Sequence, residues 1–387
     1  MIRIINFRLV IEKFDTHEKY YPRVVSFDTI DSYPLTDAPS ATIKMISTSN
    51  LDDVSTVSQV EFDDIVRLQA SARYNVLEKN VWVNIFEGRV QNQSKEYGEN
   101  NEIELSCVGH IIEAYNKSIH VDFTYNNVDA SILLQAMAAN TVRIDYNASY
   151  VQTALAVTEF NQVAKQNFVI DTYKEIEKLS GYRQMIDVVP VYSSAGNLQV
   201  CYTRWRNFSS TPTKQYAVIA GTPRLISASF DIVGEEVYNY RYIQGGEDTN
   251  GVQCEGSAYN TDSVKLYGTR DKIDTFSWIK TNQLCNAIAA GLVIDSGVPY
   301  VAGQAVLEGT IDAHIGDLVN VKIASLEVNG VEINGYYTVY RVAHSFSGEQ
   351  FTTTLDLGRI KKNEYDYISM SLTQILKTCY KNQSKLK

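Results

Sequence analysis

The chain is short of the residues that would mark it as an enzyme, a disulfide-stapled secreted domain or a membrane protein. Its 5 cysteines (Cys107, Cys201, Cys254, Cys285 and Cys379) are odd in number, far apart and contain no CxxC pair. That pattern excludes a disulfide framework and a thiolate zinc site, and reads as free thiols of a reducing compartment. The opening MIRIINFRLV lacks the apolar h-region and small-residue cleavage site of a secretory signal. No run approaches the ~18 apolar residues of a membrane span, so no membrane insertion is expected. The 5 histidines (His17, His110, His120, His314 and His344) show no HxH or HExxH spacing, which would set two imidazoles on one metal. There is no GxSxG, and where Gly251 and Gly256 have P-loop spacing, Ser257 and Ala258 stand in place of Lys and Ser/Thr. No metal and no cofactor is expected. Positive charge is short too: 35 basic against 45 acidic residues leaves a net charge of −10. Phosphate neutralisation needs clustered cations, so specific nucleic-acid binding is not expected.

What is abundant points to strands. Tyrosine occurs 26 times and proline 7 times in 387 residues, and Val, Ile and Thr are frequent, a composition suited to extended structure. A length of this order corresponds to two to four domains. Residues 1–118 read as strands and turns, with VWVNIFEGRVQNQ and NEIELSCVG forming a hairpin about Tyr97–Asn100. Residues 119–221 read as a small mixed α+β unit. One helix is capped there by Asn127 or Asp129, with Ile132/Ala136 and Leu133/Met137 stacked, and a second covers Thr172–Leu179. MIDVVPVYSSAGNLQVCYTRW gives two strands about Ala195-Gly196-Asn197. Residues 222–360 read as a second β domain with a helical or irregular insertion at about 246–301. Its helix spans about 275–294, capped by Asp274 or Thr275, with Leu284, Ile288 and Leu292 on one stripe.

An internal comparison carries more information. DIVRL (Asp64–Leu68), FEGRV (Phe86–Val90) and IELSCVG (Ile103–Gly109) are echoed by DLVNV (Asp317–Val321), GYYTV (Gly335–Val339) and TTLDLG (Thr353–Gly358). Each set reads as a turn Asp with a strand, a Gly-bearing strand, and a closing strand ending near Gly. Val90 to Leu105 is 15 residues and Val339 to Leu355 is 16. The pattern predicts two similar β domains.

The segment Tyr336–Arg359 gathers Tyr, His, Ser and Arg and invites a catalytic reading. Strand alternation argues otherwise: Tyr340, Val342, His344 and Phe346 share one face, Ser345 lies on the other, and Ser347–Gln350 makes the turn. His344 then belongs to an apolar row with no orienting third group, so a triad is not expected. The acidic pairs Asp63/Asp64 and Glu235/Glu236 likewise point to opposite strand faces, which does not suit paired glycosidase carboxylates. In the tail, residues 361–387, Ile368, Leu372, Ile375, Leu376 and Cys379 recur at helical spacing, with Lys377, Lys381, Lys385 and Lys387 making the end basic. This basic helical tail would pack on its own domain, dock in a partner's groove or lie on a membrane surface.

Three segments resemble the baseplate hub proteins of contractile phages, prophages and phage-tail-like bacteriocins, the late-control-protein-D and spike-hub group. They are NYRYIQGG (Asn239–Gly246), SVKLYGTRDKIDTF (Ser263–Phe276), and IGDLVNV followed by GYYTVYRVAHSFSGEQFTTTLDL. The resemblance implies a mainly β chain with α+β insertions, built on two tube-like antiparallel β-barrel domains plus smaller mixed domains. It implies a non-enzymatic homotrimer whose six barrels join a six-fold tail tube to a three-fold spike. The partners implied are the tail tube protein, the central spike protein, baseplate wedge proteins and a tape-measure protein, in a virion tail baseplate assembled in the bacterial host cytoplasm. Edge-strand residues Tyr337, Arg341 and Arg359 are the expected subunit or tube contacts, and Ile368, Leu372, Ile375 and Leu376 the expected docking stripe. The rival readings are a tail-tip protein of a non-contractile phage and a tail-delivered cell-wall hydrolase.

Overall fold

A computed structural model describes residues 4–33, 37–46, 60–73, 81–96, 102–119, 123–125, 128–151, 156–157, 160–163, 168–179, 184–209, 211–213, 216–221, 224–233, 237–248, 250–275, 281–297, 300–323, 327–328, 331–348 and 350–358. The first β unit comprises β1 (Ile4–Glu12), β2 (Lys19–Tyr20), β3 (Arg23–Ser32), β4 (Ser40–Ile46), β5 (Ile65–Arg73), β6 (Val83–Glu96) and β7 (Glu102–Val108). The middle segment holds α1 (Ile112–Asn116), β8 (Phe123–Tyr125), β9 (Val128–Asp129), α2 (Ala130–Ala138), β10 (Ile144–Val151), β11 (Ala156–Val157), β12 (Phe160–Val163), α3 (Val169–Leu179), β13 (Gln184–Tyr192), β14 (Leu198–Asn207) and β15 (Val218–Ile219). The second β unit starts at β16 (Leu225–Val233). An insertion follows: β17 (Tyr240–Glu247), β18 (Gln253–Tyr259), α4 (Thr261–Tyr267), β19 (Asp271–Thr275) and α5 (Asn282–Ser296). The unit then resumes with β20 (Tyr300–Glu308), β21 (Leu318–Lys322), β22 (Glu327–Val328), β23 (Val331–Glu332), β24 (Gly335–Ser347) and β25 (Gln350–Gly358).

Both β units belong to one 13-stranded sheet, in the order β16-β20-β25-β24-β3-β4-β7-β6-β5-β1-β2, with β21 on the first half of β24 and β15 on β21. The expected pair of barrels is corrected in one respect. Among the described residues neither unit closes its own ladder, because β24 and β3 spend their edges on each other and so splice the units together. β1 curls back over β3 without pairing to it, bringing the Phe7 and Phe27 rings to 5.0 Å in an edge-on contact.

The alternating strands fill two main cores. One, about Leu9, Phe27, Ile43, Leu68 and Leu105, lies inside the first unit and reaches Phe351 of β25. The other runs without a break from Leu133, Tyr173 and Trp205 of the middle segment to Val319, Tyr337 and Leu355 of the second unit. Burying side chains of this size stabilises by ~1.5–3 kcal/mol each, which is what ties the middle segment to the second unit.

The helices depart from expectation where tertiary bonding overrides local signals. The third predicted helix starts at Asn282 rather than near 275. Asp274 and Thr275 lie in β19, parallel to β17, and the Asp274 carboxylate accepts from Arg241 at 2.7 Å instead of capping a helix. Ile288 and Leu292 are buried as expected, while the Leu284 side chain lies outside the described residues. The insertion itself is ordered: β17, β18 and β19 form a 3-stranded sheet backed by α5. Leu133 and Met137 of α2 are buried, Ile132 is exposed, and Asn127 lies outside the described residues.

Candidate functional site: the junction between the β units

The strand splice is the feature that sequence reasoning did not supply. From Thr338 back to Gly335, β24 pairs with β21; from Arg341 to Ser347 the same edge pairs antiparallel with β3. Phe346 stands directly opposite Phe27, and His344 opposite Thr29. Phe7 joins them, its ring 4.6 Å from Phe346 and 5.0 Å from Phe351, so four phenylalanines from β1, β3, β24 and β25 meet across the seam. Aromatic pairs of this geometry add ~0.5–1.5 kcal/mol beyond their buried area.

The residues that suggested chemistry are spent on this scaffold. His344 is buried, and its Nδ1 lies 3.0 Å from Thr353 Oγ1. That hydroxyl donates to the Thr310 carbonyl at 3.1 Å and accepts from the Thr310 amide at 2.9 Å. Burial, with a smaller push from His314, lowers the His344 pKa to about 4, so the ring is neutral near pH 7 and serves as a hydrogen-bonding core residue. Ser345 faces Thr352 across the ladder, on the other side of the strand from His344.

Tyr337, expected on a contact edge, is instead fully buried, its hydroxyl donating to the Ile333 carbonyl at 2.6 Å and its ring 5.3 Å from Phe230. The correction has a plain cause: β21 covers that half of β24, and the ring points into the core. Arg341 is partly exposed and meets Asp356 of β25 at 3.3 Å, a pair worth little in water. Arg359, Ile368, Leu372, Ile375 and Leu376 lie outside the described residues.

A polar cluster locks the middle segment to the seam. Asp187 of β13 accepts from Arg204 Nε at 2.7 Å and from Arg206 at 3.3 Å, and Arg206 also donates to the Ile315 carbonyl at 3.2 Å. Half-buried Asp31 of β3 faces this group. Burial and the Asp187 charge push its carboxyl up to about 7, against the pull of Arg206 and Arg204. On the other side, buried Glu12 accepts from Arg67 Nη2 and from the Leu198 amide, both at 2.9 Å, and its Oε1 lies 2.9 Å from His17 Nδ1. Among the described residues no cluster of His, Cys, Asp and Glu is placed to hold a metal ion, and no helix is long and apolar enough to cross a membrane.

The repeat read from the sequence is visible bond by bond. The order β3-β4-β7-β6-β5 matches β16-β20-β25-β24-β21. The β6/β7 ladder bulges between Val90 and Asn92, and β24/β25 between Val339 and Arg341. The β3/β4 ladder bulges between Val24 and Ser26, and β16/β20 between Leu225 and Ser227.

No family model matches the chain, and no curated protein does. Among solved structures it is similar to the 43 kDa tail protein of prophage MuSo2 from Shewanella oneidensis, with TM-score 0.56 and 12% identity over 92% of this chain and 98% of that one. It is also similar to the tail protein from Neisseria meningitidis MC58, with TM-score 0.58 and 10% identity over 92% and 97%. A third is prophage tail protein gp18 from Listeria monocytogenes EGD-e, with TM-score 0.54 and 13% identity over 96% and 99%. In each case the likeness spans nearly the whole of both chains, so the overall fold is shared with these tail proteins.

Proposed function

We propose that the chain is a non-enzymatic structural hub of a phage or phage-like tail baseplate. In this reading it assembles as a homotrimer whose six β units form a ring, meeting the six-fold tail tube on one side and a three-fold spike on the other. Tail tube, spike, wedge and tape-measure proteins are its partners, and the virion tail is its location. The observation that carries the reading is the duplicated β unit: paired bulges and matched strand order give one chain two equivalent units, as a six-unit ring of three chains would need. The overall fold likeness to prophage tail proteins supports the same context, and the net charge of −10 suits a lumen through which nucleic acid must slide.

Sedimentation and negative-stain microscopy test it. A three-chain particle with six-lobed end views is expected. A monomer at every concentration, or lysis of peptidoglycan in a gel overlay, would sink the hub.

A further inference from the structure

We propose that two copies of this chain join by strand pairing, the end of β6 in one copy adding to the outer edge of β16 in the next. Resting on the trimeric reading above, this assignment identifies how its subunits meet. The splice inside the chain is the template. β24 runs beyond its β21 partner, and the overhang after the bulge at Tyr340 takes up β3. β6 is the counterpart of β24: it too runs beyond its partner, β5, whose pairing ends at Arg89, and it too bulges immediately afterwards. Its overhang, Gln91–Glu96, bonds to β7 on one side and among the described residues to nothing on the other. β16 is the counterpart of β3, with the matching bulge, and ends the sheet with β20 as its one partner among the described residues.

One chain therefore carries one joint made and both halves of a second. Among the described residues the two free edges do not pair with each other within one chain. An unpaired edge of nine residues is a template for another strand, and a joint between two different edges is head-to-tail, which builds a ring when its rotation closes. β16 lacks two of the usual guards, since neither Pro nor Lys lies in LISASFDIV, and Ile226 is exposed on it.

The template also fixes the register. Transferring the β24/β3 pairing through the two bulges sets Asn92 opposite Val233, Ser94 opposite Asp231 and Glu96 opposite Ser229. A shift by one residue would turn the faces over. Ser94 and Asp231 are both exposed in the single chain. The Tyr33 amide donates to the Tyr340 carbonyl, so alternate β3 amides, Phe27 among them, point at β24. By the same equivalence the Ile232 amide of β16, counterpart of Asp31, points outward at Gln93 of the next copy.

Oxidation of the full-length Ser94→Cys/Asp231→Cys double variant tests the pairing, since facing cross-strand positions come within disulfide reach. Covalent species of two and three chains, ending at three, are expected on a non-reducing gel. Ser94→Cys/Ser227→Cys, displaced by roughly 13 Å along the strand, is expected not to link. A three-chain particle in which the first pair links no better than the second overturns the edge assignment and leaves the trimer standing. A ladder that runs on without stopping at three upholds the edges and overturns the trimer. Ile232→Pro, which removes the outward donor facing Gln93 from an edge strand, is expected to give a folded monomer; an unchanged trimer counts against the pairing.

Discussion

Asp64 and Asp317 hold the same place in two copies of one turn. The Asp64 carboxylate accepts from the Glu61 amide at 2.8 Å and the Asp317 carboxylate from the His314 amide at 2.9 Å. Their carbonyls accept from Val90 and Val339, both at 2.9 Å, and the residue before each, Asp63 or Gly316, has a φ of 74° or 83°. Asp317 also accepts from the Tyr216 hydroxyl at 2.6 Å, and Asp64 meets Lys13 at 3.2 Å. Replacing either by Ala strips a buried donor of its acceptor, so each variant should lose ~1–3 kcal/mol in urea unfolding. A neutral result at both sites would mean the turn is held by its backbone alone.

Glu12 joins β1 to β5 and to the middle segment through Arg67, and the Arg67 guanidinium lies 4.6 Å over the Tyr192 ring. Removing one charge of a buried pair leaves the other unpaired. Glu12→Gln is expected to cost ~3–5 kcal/mol, with part of it recovered by Glu12→Gln/Arg67→Met. Denaturant midpoints of the single and double variants check this; a double variant worse than the sum would contradict it.

Two groups of the fold make opposite demands on pH. Asp31 has its pKa raised from 3.8 to about 7 in the folded chain, so the native state holds an extra proton between those values. The resulting stability is present below about 4 and is lost as pH rises through 7. His344 is lowered from 6.5 to about 4, so its contribution is full above 6.5 and is lost as pH falls through 4. Thermal melts across pH 4–8 should accordingly diverge: Asp31→Asn gains on the parent chain towards pH 8, and His344→Phe gains on it towards pH 4. Parallel curves for all three proteins would refute both assignments.

At the seam, Phe27→Ala removes the ring facing Phe346 and leaves a cavity among four aromatics, at a cost of ~3–5 kcal/mol. Thr353→Val, which strips His344 Nδ1 and the Thr310 amide of their shared partner, should cost ~1–3 kcal/mol. Calorimetry separates these from a surface effect, since Tyr336→Ala, exposed on the same strand, should stay within ~0.5 kcal/mol.

Much of this was legible in the sequence because period-2 alternation and turn residues are local signals. The β6–β7 and β24–β25 hairpins, the Gly196 turn and the separation of His344 from Ser345 all follow from them. The Asp-Ile/Leu repeat was readable because each Asp must sit in a turn that presents its carboxylate to the backbone. What stayed hidden was non-local. Nothing near Tyr337 says that β21 will cover it, nor does anything near Asp274 say that Arg241 will claim its carboxylate. The strand β24 looks continuous in sequence, and its change of partner midway appears only when β3, some three hundred residues earlier, lies beside it.

That change of partner has a thermodynamic side. In a ring built from such chains, every second joint is made within a polypeptide, where the two edges are presented to each other at high effective concentration and without loss of translational freedom. Only the remaining joints depend on how much protein the cell supplies. The tether also forces unlike units to alternate around the circle, so a ring with six similar walls has three-fold symmetry from the start.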